Sequence, residues 1–226
     1  MANSILIIGE SGTGKSTALR NLDPKETIIV NIAQKPLPIK GWKKNYTTLG
    51  KDNPKGNVLN LSNADTICAA LQKISDSRPN VKTIVIDDFQ YLSSFEYFDR
   101  AKERGYDKFV DMATALAKIV RVPLQLREDL DIFFLTHSET TVDIDGVKKV
   151  KAKTVGKMID NTLTLEGLFS IVFHTRVIKK ENGLDYGFET QTDGDTTGKS
   201  PMGMFEDFFI PNDLQFVKDK IKEYES

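Results

Sequence analysis

Apolar and polar positions fall along the chain in blocks whose length and spacing separate strands from helices. Ile5-Leu6-Ile7-Ile8 is a short unbroken apolar run, the pattern of a parallel strand covered on both faces. Strand-sized runs recur at Thr27–Ile32 (TIIVNI), Val81–Asp87 and Asp131–Thr136 (DIFFLT). Between them the spacing becomes helical. Ser62 or Asn63 is placed to cap a helix to about Ser77, with Ile67, Ala70, Leu71 and Ile74 on one face. Asp107–Gln125 repeats that pattern through Phe109, Met112, Ala113, Leu116 and Ile119, and Pro123 predicts a break near its end. Another helix-forming stretch opens at Thr17. Phe89–Gly105 mixes aromatics with charges and fits either a helix or a partly ordered segment. Thr140–Lys153, alternating on both sides of Asp145-Gly146, predicts a β-hairpin. Phe169–Ile178 and Leu184–Thr192, joined at Glu181-Asn182-Gly183, predict two further strands, antiparallel to each other. Asn212 is placed to cap a last helix to about Tyr224. Ile39–Asn57, around a short extended piece at Tyr46–Leu49, and Asp193–Lys199 read as loops.

Helices alternating with apolar strands predict an α/β protein: a mainly parallel sheet flanked by helices, closed by antiparallel strands at the C-terminal end. A length of 226 residues suits one such domain and is short for two, and no clean linker interrupts it, so 1–226 is expected to be a single domain. The longest apolar runs are strand-sized, which predicts no membrane span, and a core strand so near the start predicts no signal peptide. Cys68 is the only cysteine, so no intramolecular disulfide forms, and a reducing, cytoplasmic setting is expected. A formal charge of −1 excludes a uniformly basic surface, so any nucleic-acid contact must be a local patch.

The candidate chemistry begins after the first strand. Gly9-Glu10-Ser11-Gly12-Thr13-Gly14-Lys15-Ser16 fits G-x-x-x-x-G-K-[ST], the phosphate-binding loop or Walker A motif, in a strand–loop–helix setting. Glycines allow backbone N–H groups to turn inward around phosphate oxygens, and the start of a helix adds its unpaired N–H groups. The expected nucleotide-binding residues are Gly9, Glu10, Ser11, Gly12, Thr13, Gly14, Lys15, Ser16 and Thr17. Lys15 is expected to reach the β- and γ-phosphates, and the Ser16 hydroxyl to ligate Mg²⁺. Thr83-Ile84-Val85-Ile86-Asp87-Asp88 has the Walker B pattern of an apolar strand ending in carboxylates. Asp87 is the expected second metal ligand, and Asp88 the group that orients or deprotonates the attacking water. At the end of the fourth strand, His137 or Thr136 is placed to sense a γ-phosphate, unless this tip is only a surface turn. His174, inside a later strand, reads as structural.

Taken in order, GESGTGKS (Gly9–Ser16), VNIAQKPLP (Val30–Pro38), IVIDD (Ile84–Asp88), LTHSE (Leu135–Glu139) and GKSPMGMF (Gly198–Phe205) resemble the RecA-like P-loop NTPases, in particular the small phage-encoded recombination ATPases. The resemblance implies a RecA-like fold, ATP and Mg²⁺ as cofactors, and ATP hydrolysis in the cytoplasm of an infected bacterial host. It places a catalytic glutamate just after the second strand, where the nearest residue here is Gln34, an amide unable to act as a general base. It implies that a basic residue such as Lys199 reaches the γ-phosphate of a neighbouring copy, so that the working form is a ring or filament. It also implies single-stranded DNA binding by loops after the third and fourth strands. The first carries Phe89, Tyr91, Phe95, Tyr97 and Phe98, and the second is the hairpin of about 139–155 with Lys148, Lys149, Lys151 and Lys153. A single-strand-binding protein is a further candidate partner.

Two other functions fit the same motifs. A small-molecule or nucleotide kinase also uses a P-loop, but it needs an arginine-rich lid, and the lysine hairpin is the only lid candidate. A nucleotide-gated assembly or loader protein with little turnover would account for an amide at Gln34.

Overall fold

The computed structural model describes residues 1–142, 146–154 and 164–226. Among them the strands are β1 (Asn3–Gly9), β2 (Thr27–Asn31), β3 (Val58–Leu59), β4 (Thr83–Asp87), β5 (Asp131–Val142), β6 (Lys148–Ala152), β7 (Ile171–Lys180), β8 (Gly183–Glu189) and β9 (Phe209–Pro211). They form one sheet ordered β3-β2-β4-β5-β1-β7-β8-β9, with β6 paired to β5. Pairings from β3 across to β7 are parallel. Those of β5 with β6, β7 with β8 and β8 with β9 are antiparallel. The expected mainly parallel α/β sheet with antiparallel strands toward the C-terminus is what forms.

Alternation across the sheet explains why β1 carries no polar residue at Ile5–Ile8, all of which are fully buried. Leu6 and Ile8 pack in one layer with α1 (Ala64–Ser77) and α3 (Asp107–Arg121), through Ile67, Leu71, Leu116 and Ile119. Ile5 and Ile7 pack in the other with Ala18 and Leu19 and with α4 (Leu214–Glu225), through Leu214, Val217 and Ile221. Each such Ile, Leu or Val side chain contributes roughly 1.5–3 kcal/mol by leaving water. Asn63 caps α1 by accepting the Thr66 N–H at 3.0 Å, and α3 gives way at Arg121 to a 3-10 turn containing Pro123, as expected. No helix among the described residues is long and apolar enough to cross a membrane.

Several elements differ from expectation. The stretch after the glycine-rich loop is a six-residue 3-10 turn, Ser16–Asn21, rather than an α-helix, because Leu22 is already extended and Pro24 follows. It therefore contributes little of a helix dipole to the loop. The fourth predicted strand continues past Thr136 to Val142 and forms the hairpin with β6; Asp145, half of the expected turn, lies outside the described residues. The segment after β4 resolves as a helix, α2 (Tyr91–Asp99), and Phe89 is a core residue packed edge-on against Phe134 at 5.2 Å. Asp213, not Asn212, caps α4 by accepting the Gln215 N–H at 2.9 Å, which frees the Asn212 side chain. Strands β3 and β9, of two and three residues, are too short to show a period.

His174 lies inside β7 at 3% exposure, with Nε2 3.0 Å from Thr197 Oγ1. Burial, helped by the Arg176 charge, lowers its pKa from 6.5 to about 4. The unfolded chain thus binds this proton more tightly than the folded one, and stability is lost as pH falls through that window. The loss from this group should be about 2 kcal/mol between pH 7 and pH 5. His174→Gln should remove that part of the pH dependence in urea unfolding at the two pH values; an unchanged difference would contradict the assignment.

Candidate functional site

Parallel order brings the functional tips together. β5 lies between β1 and β4, in register so that Gly9 pairs with His137 and Ile86 with Phe134. The ends of all three strands therefore open on one side, where ligands bind in such sheets.

At the end of β1 the chain runs against β7. A Cβ on Gly9 would sit 1.7 Å from Thr175 Oγ1, so no larger residue fits there. Thr13 Oγ1 and Thr175 Oγ1 share a hydrogen bond of 2.6 Å that holds the loop to β7. Gly14, at φ 95°, takes the left-handed turn that lets Lys15 fold back over the loop. The Lys15 ammonium donates to the carbonyl oxygens of Gly9 at 2.8 Å and Glu10 at 2.7 Å, and the residue is 6% exposed. Burial pulls its pKa down to about 8.

The end of β4 supplies the acid pair. Ser16 Oγ donates to Asp87 Oδ1 at 2.8 Å, joining the two motifs through space. Burial, with Asp88 alongside, pushes the Asp87 carboxyl up to about 6. A hydroxyl and a carboxylate held this close are the hard oxygen donors that Mg²⁺ takes while keeping positions for phosphate oxygens and water. Ser16 and Asp87 therefore fit the ion. Asp88 sits in the left-handed region at φ 60°, which turns its carboxylate away from Asp87's partner and toward β2 and β5. Lys35 Nζ lies 2.6 Å from its Oδ2, and His137 Nε2 lies 3.6 Å from its Oδ1. Burial alone would raise the Asp88 carboxyl; the His137 and Lys35 contacts outweigh it and hold it below the usual range.

These groups border a cavity of about 660 Å³. Of the expected nucleotide-binding residues, Ser11, Gly12, Gly14, Lys15, Ser16 and Thr17 line it, as do Asp88 and His137. Gly9, Glu10 and Thr13 line a smaller cavity of about 280 Å³ on the β7 side of the loop. Asp87 is buried behind Ser16, and Thr136 is fully buried. Gln34 is exposed at φ 54°; its turn delivers the next residue, Lys35, into the cavity instead. Lys199 lies away from the cavity, its backbone paired with Val172 near the start of β7.

The four hairpin lysines do not form one face. On β6 alternation sets Lys149 and Lys151 on one side and Lys148 on the other with Val150 and Ala152. Lys151 pairs with Glu139 at 3.2 Å, and the Lys153 N–H donates to the His137 carbonyl at 2.8 Å. Of the aromatics, Tyr91 and Phe95 stack on one another at 5.6 Å, Tyr91 also meets His137 edge-on, and Tyr97 and Phe98 are exposed.

Sequence reasoning missed Arg20, Lys35, Tyr186 and Asn212, all of which line the cavity. Lys35 had a local signal, a cation in the proline-bounded turn after β2. Tyr186 and Asn212 had none, since only the antiparallel return of β8 and β9 brings them to the loop.

Among solved structures, a KaiC-like protein from the hyperthermophilic archaeon Pyrococcus horikoshii OT3 superposes with a TM-score of 0.47 at 13% identity, covering 82% of this chain and 76% of that one. Comparison with curated protein sequences gives no match. Residues 1–124, from β1 through both Walker motifs to the end of α3, match the family described as the AAA domain. With that match over more than half its length, and with its loop, acid pair and sheet arranged as above, the chain belongs to the AAA domain family of P-loop NTPases.

Proposed function

We propose that this protein binds ATP with Mg²⁺ and hydrolyses it while acting on single-stranded DNA, in phage recombination or replication. The observation that carries the nucleotide part is the 2.8 Å contact of Ser16 with Asp87 beside the folded-back Lys15, at the mouth of the cavity. Backbone N–H groups of the loop and the Lys15 ammonium would hold the phosphate tail, and Ser16 and Asp87 the metal. The bound ion supplies charge neutralisation at the phosphates. Asp88, fixed by Lys35 and His137, orients water near the γ-phosphate end.

The DNA part is supported by the course of β5, which passes from His137 directly into the basic hairpin. Lys149, Lys151 and Lys153, with Lys148 on the opposite face, are its phosphate-binding residues. The continuous sheet supports reading the chain as one domain. The place of Lys199, outside its own cavity, suits a role toward a neighbouring copy in a ring or filament.

A second reading has its own support. Asp88 is held ionised by two partners, and Gln34 is an amide that does not line the cavity, so no described residue is an uncommitted strong base there. That favours slow turnover, with the nucleotide acting mainly as a gate for assembly. Slow hydrolysis combined with ATP-dependent oligomerisation, recorded as mass in solution, would select it over the first.

Lys15→Ala should weaken ATP binding at least about tenfold, the scale of lost charge-assisted hydrogen bonds. Asp87→Ala should abolish Mg²⁺-dependent hydrolysis. Calorimetric titration and phosphate release measure the two; native values in both variants would sink the nucleotide assignment.

Replacing Lys148, Lys149, Lys151 and Lys153 together by Ala should weaken single-stranded DNA binding and flatten its salt dependence. Each lost phosphate contact should reduce the slope of log K against log salt by about 0.7. A native slope would remove the hairpin from the DNA site, and an ATPase rate that single-stranded DNA leaves unchanged would remove DNA from the cycle.

A further inference from the structure

The wall of the cavity opposite the acid pair is built from the C-terminal strands. Asn212 is 4% exposed, and its amide Nδ2 is buried with no hydrogen-bond partner. The backbone on both sides of that amide is fixed: the Asn212 N–H donates to the Tyr186 carbonyl at 3.2 Å, and the Asn212 carbonyl accepts from Arg20 Nη1 at 2.5 Å. The side chain lies against the end of the phosphate loop, where a Cβ on Gly14 would be 3.1 Å from both of its heteroatoms. A buried N–H₂ left unpaired is costly, and proteins seldom leave one without a bridging group. This one borders the cavity, so a ligand is positioned to complete it.

A flat apolar surface stands next to it. Leu184 and Tyr186, at alternate positions on β8, line the same cavity while remaining 58% and 38% exposed. An exposed aromatic ring beside an unpaired amide is the pairing that protein sites use to stack and read a base. Asp185, the carboxylate of this wall, is held by Lys180 at 2.5 Å, so its charge is already matched.

The geometry points to a purine seat formed by Asn212 and Tyr186, in which the Asn212 amide selects adenine over guanine. It rests on the reading that the loop at Gly9–Ser16 holds the triphosphate, which puts the base toward this opposite wall. An amide offers one donor and one acceptor. Adenine answers with its N7 acceptor and its N6 amino group, whereas guanine presents N7 and O6, two acceptors, along the same edge. Bound guanine would set O6 against the amide oxygen. The Tyr186 ring supplies stacking that does not distinguish bases.

The test is calorimetric binding of ATP, GTP and inorganic tripolyphosphate, each with Mg²⁺, to the full chain and to its Asn212→Ala and Tyr186→Ala variants. The native chain should prefer ATP over GTP by about tenfold or more, the scale of one bidentate amide–base pair. Asn212→Ala should bring ATP down to the level of GTP and leave tripolyphosphate binding unchanged. Tyr186→Ala should weaken ATP and GTP together by about tenfold, again sparing tripolyphosphate. An Asn212→Ala protein that binds tripolyphosphate natively and keeps the native ATP-to-GTP ratio overturns the selection. Should Asn212→Ala lose tripolyphosphate as well, through misfolding, Tyr186→Ala decides, and native ATP affinity there overturns the seat. A native chain that fails to bind tripolyphosphate would instead refute the phosphate loop, and the seat with it.

Discussion

Lys15, in the loop after β1, and Asp87, at the end of β4, are both buried, and each resists its charged form: the ammonium is pulled down to about 8 and the carboxyl pushed up to about 6. The protein supplies partial relief: two carbonyl oxygens for the lysine, and the Ser16 hydroxyl and the Asp88 backbone N–H for the aspartate. A phosphate tail and a divalent ion would supply what each lacks: a negative charge for one, a positive charge for the other. The apolar strands beneath hold that pair in place, largely out of water. β1 and β4 each carry one half, and β5 between them sets the spacing.

Strain is placed accordingly. Among the described residues only Gln34 and Asp88 have positive φ without being glycine, and both lie on the path that joins Lys35 to Asp88. Each such turn costs of order 1 kcal/mol in isolation. The ion pair at 2.6 Å, sheltered on the carboxylate side, offsets part of that cost. The hairpin is likewise anchored by buried polar contacts: the Glu166 carboxylate accepts the Ala152 N–H at 2.7 Å, and Thr197 bridges toward His174 on β7.

Much of the sheet was legible because β1, β2, β4 and β5 are covered on both faces, which writes itself as uninterrupted Ile, Leu and Phe. The Walker motifs were legible because glycine, lysine and paired carboxylates at fixed spacing have a chemical reason to be there. What failed has physical causes. The turn after the loop could not become an α-helix in the six residues before Leu22, although its residues favour one. Asn212 and Asp213 are equally good caps by type, and only the backbone path shows that Asp213 takes the role. Lys148 was grouped with Lys149, Lys151 and Lys153 by composition, whereas the pleat sends it to the other side. Tyr186 and Asn212 reach the cavity by a pairing between distant segments, which no local pattern encodes.

Strand β5 is twelve residues long, about 40 Å at ordinary rise. Its first half is clamped on both edges by β1 and β4, and in its second half β6 is the strand paired with it among the described residues. His137 stands where its pairing passes from β1 to β6, which is itself tied to the rest of the fold through Val150 to Asp195 and through Ala152 to Glu166. The wall of the cavity and the first arm of the hairpin are therefore a single continuous strand, with no turn between them to absorb a displacement of either.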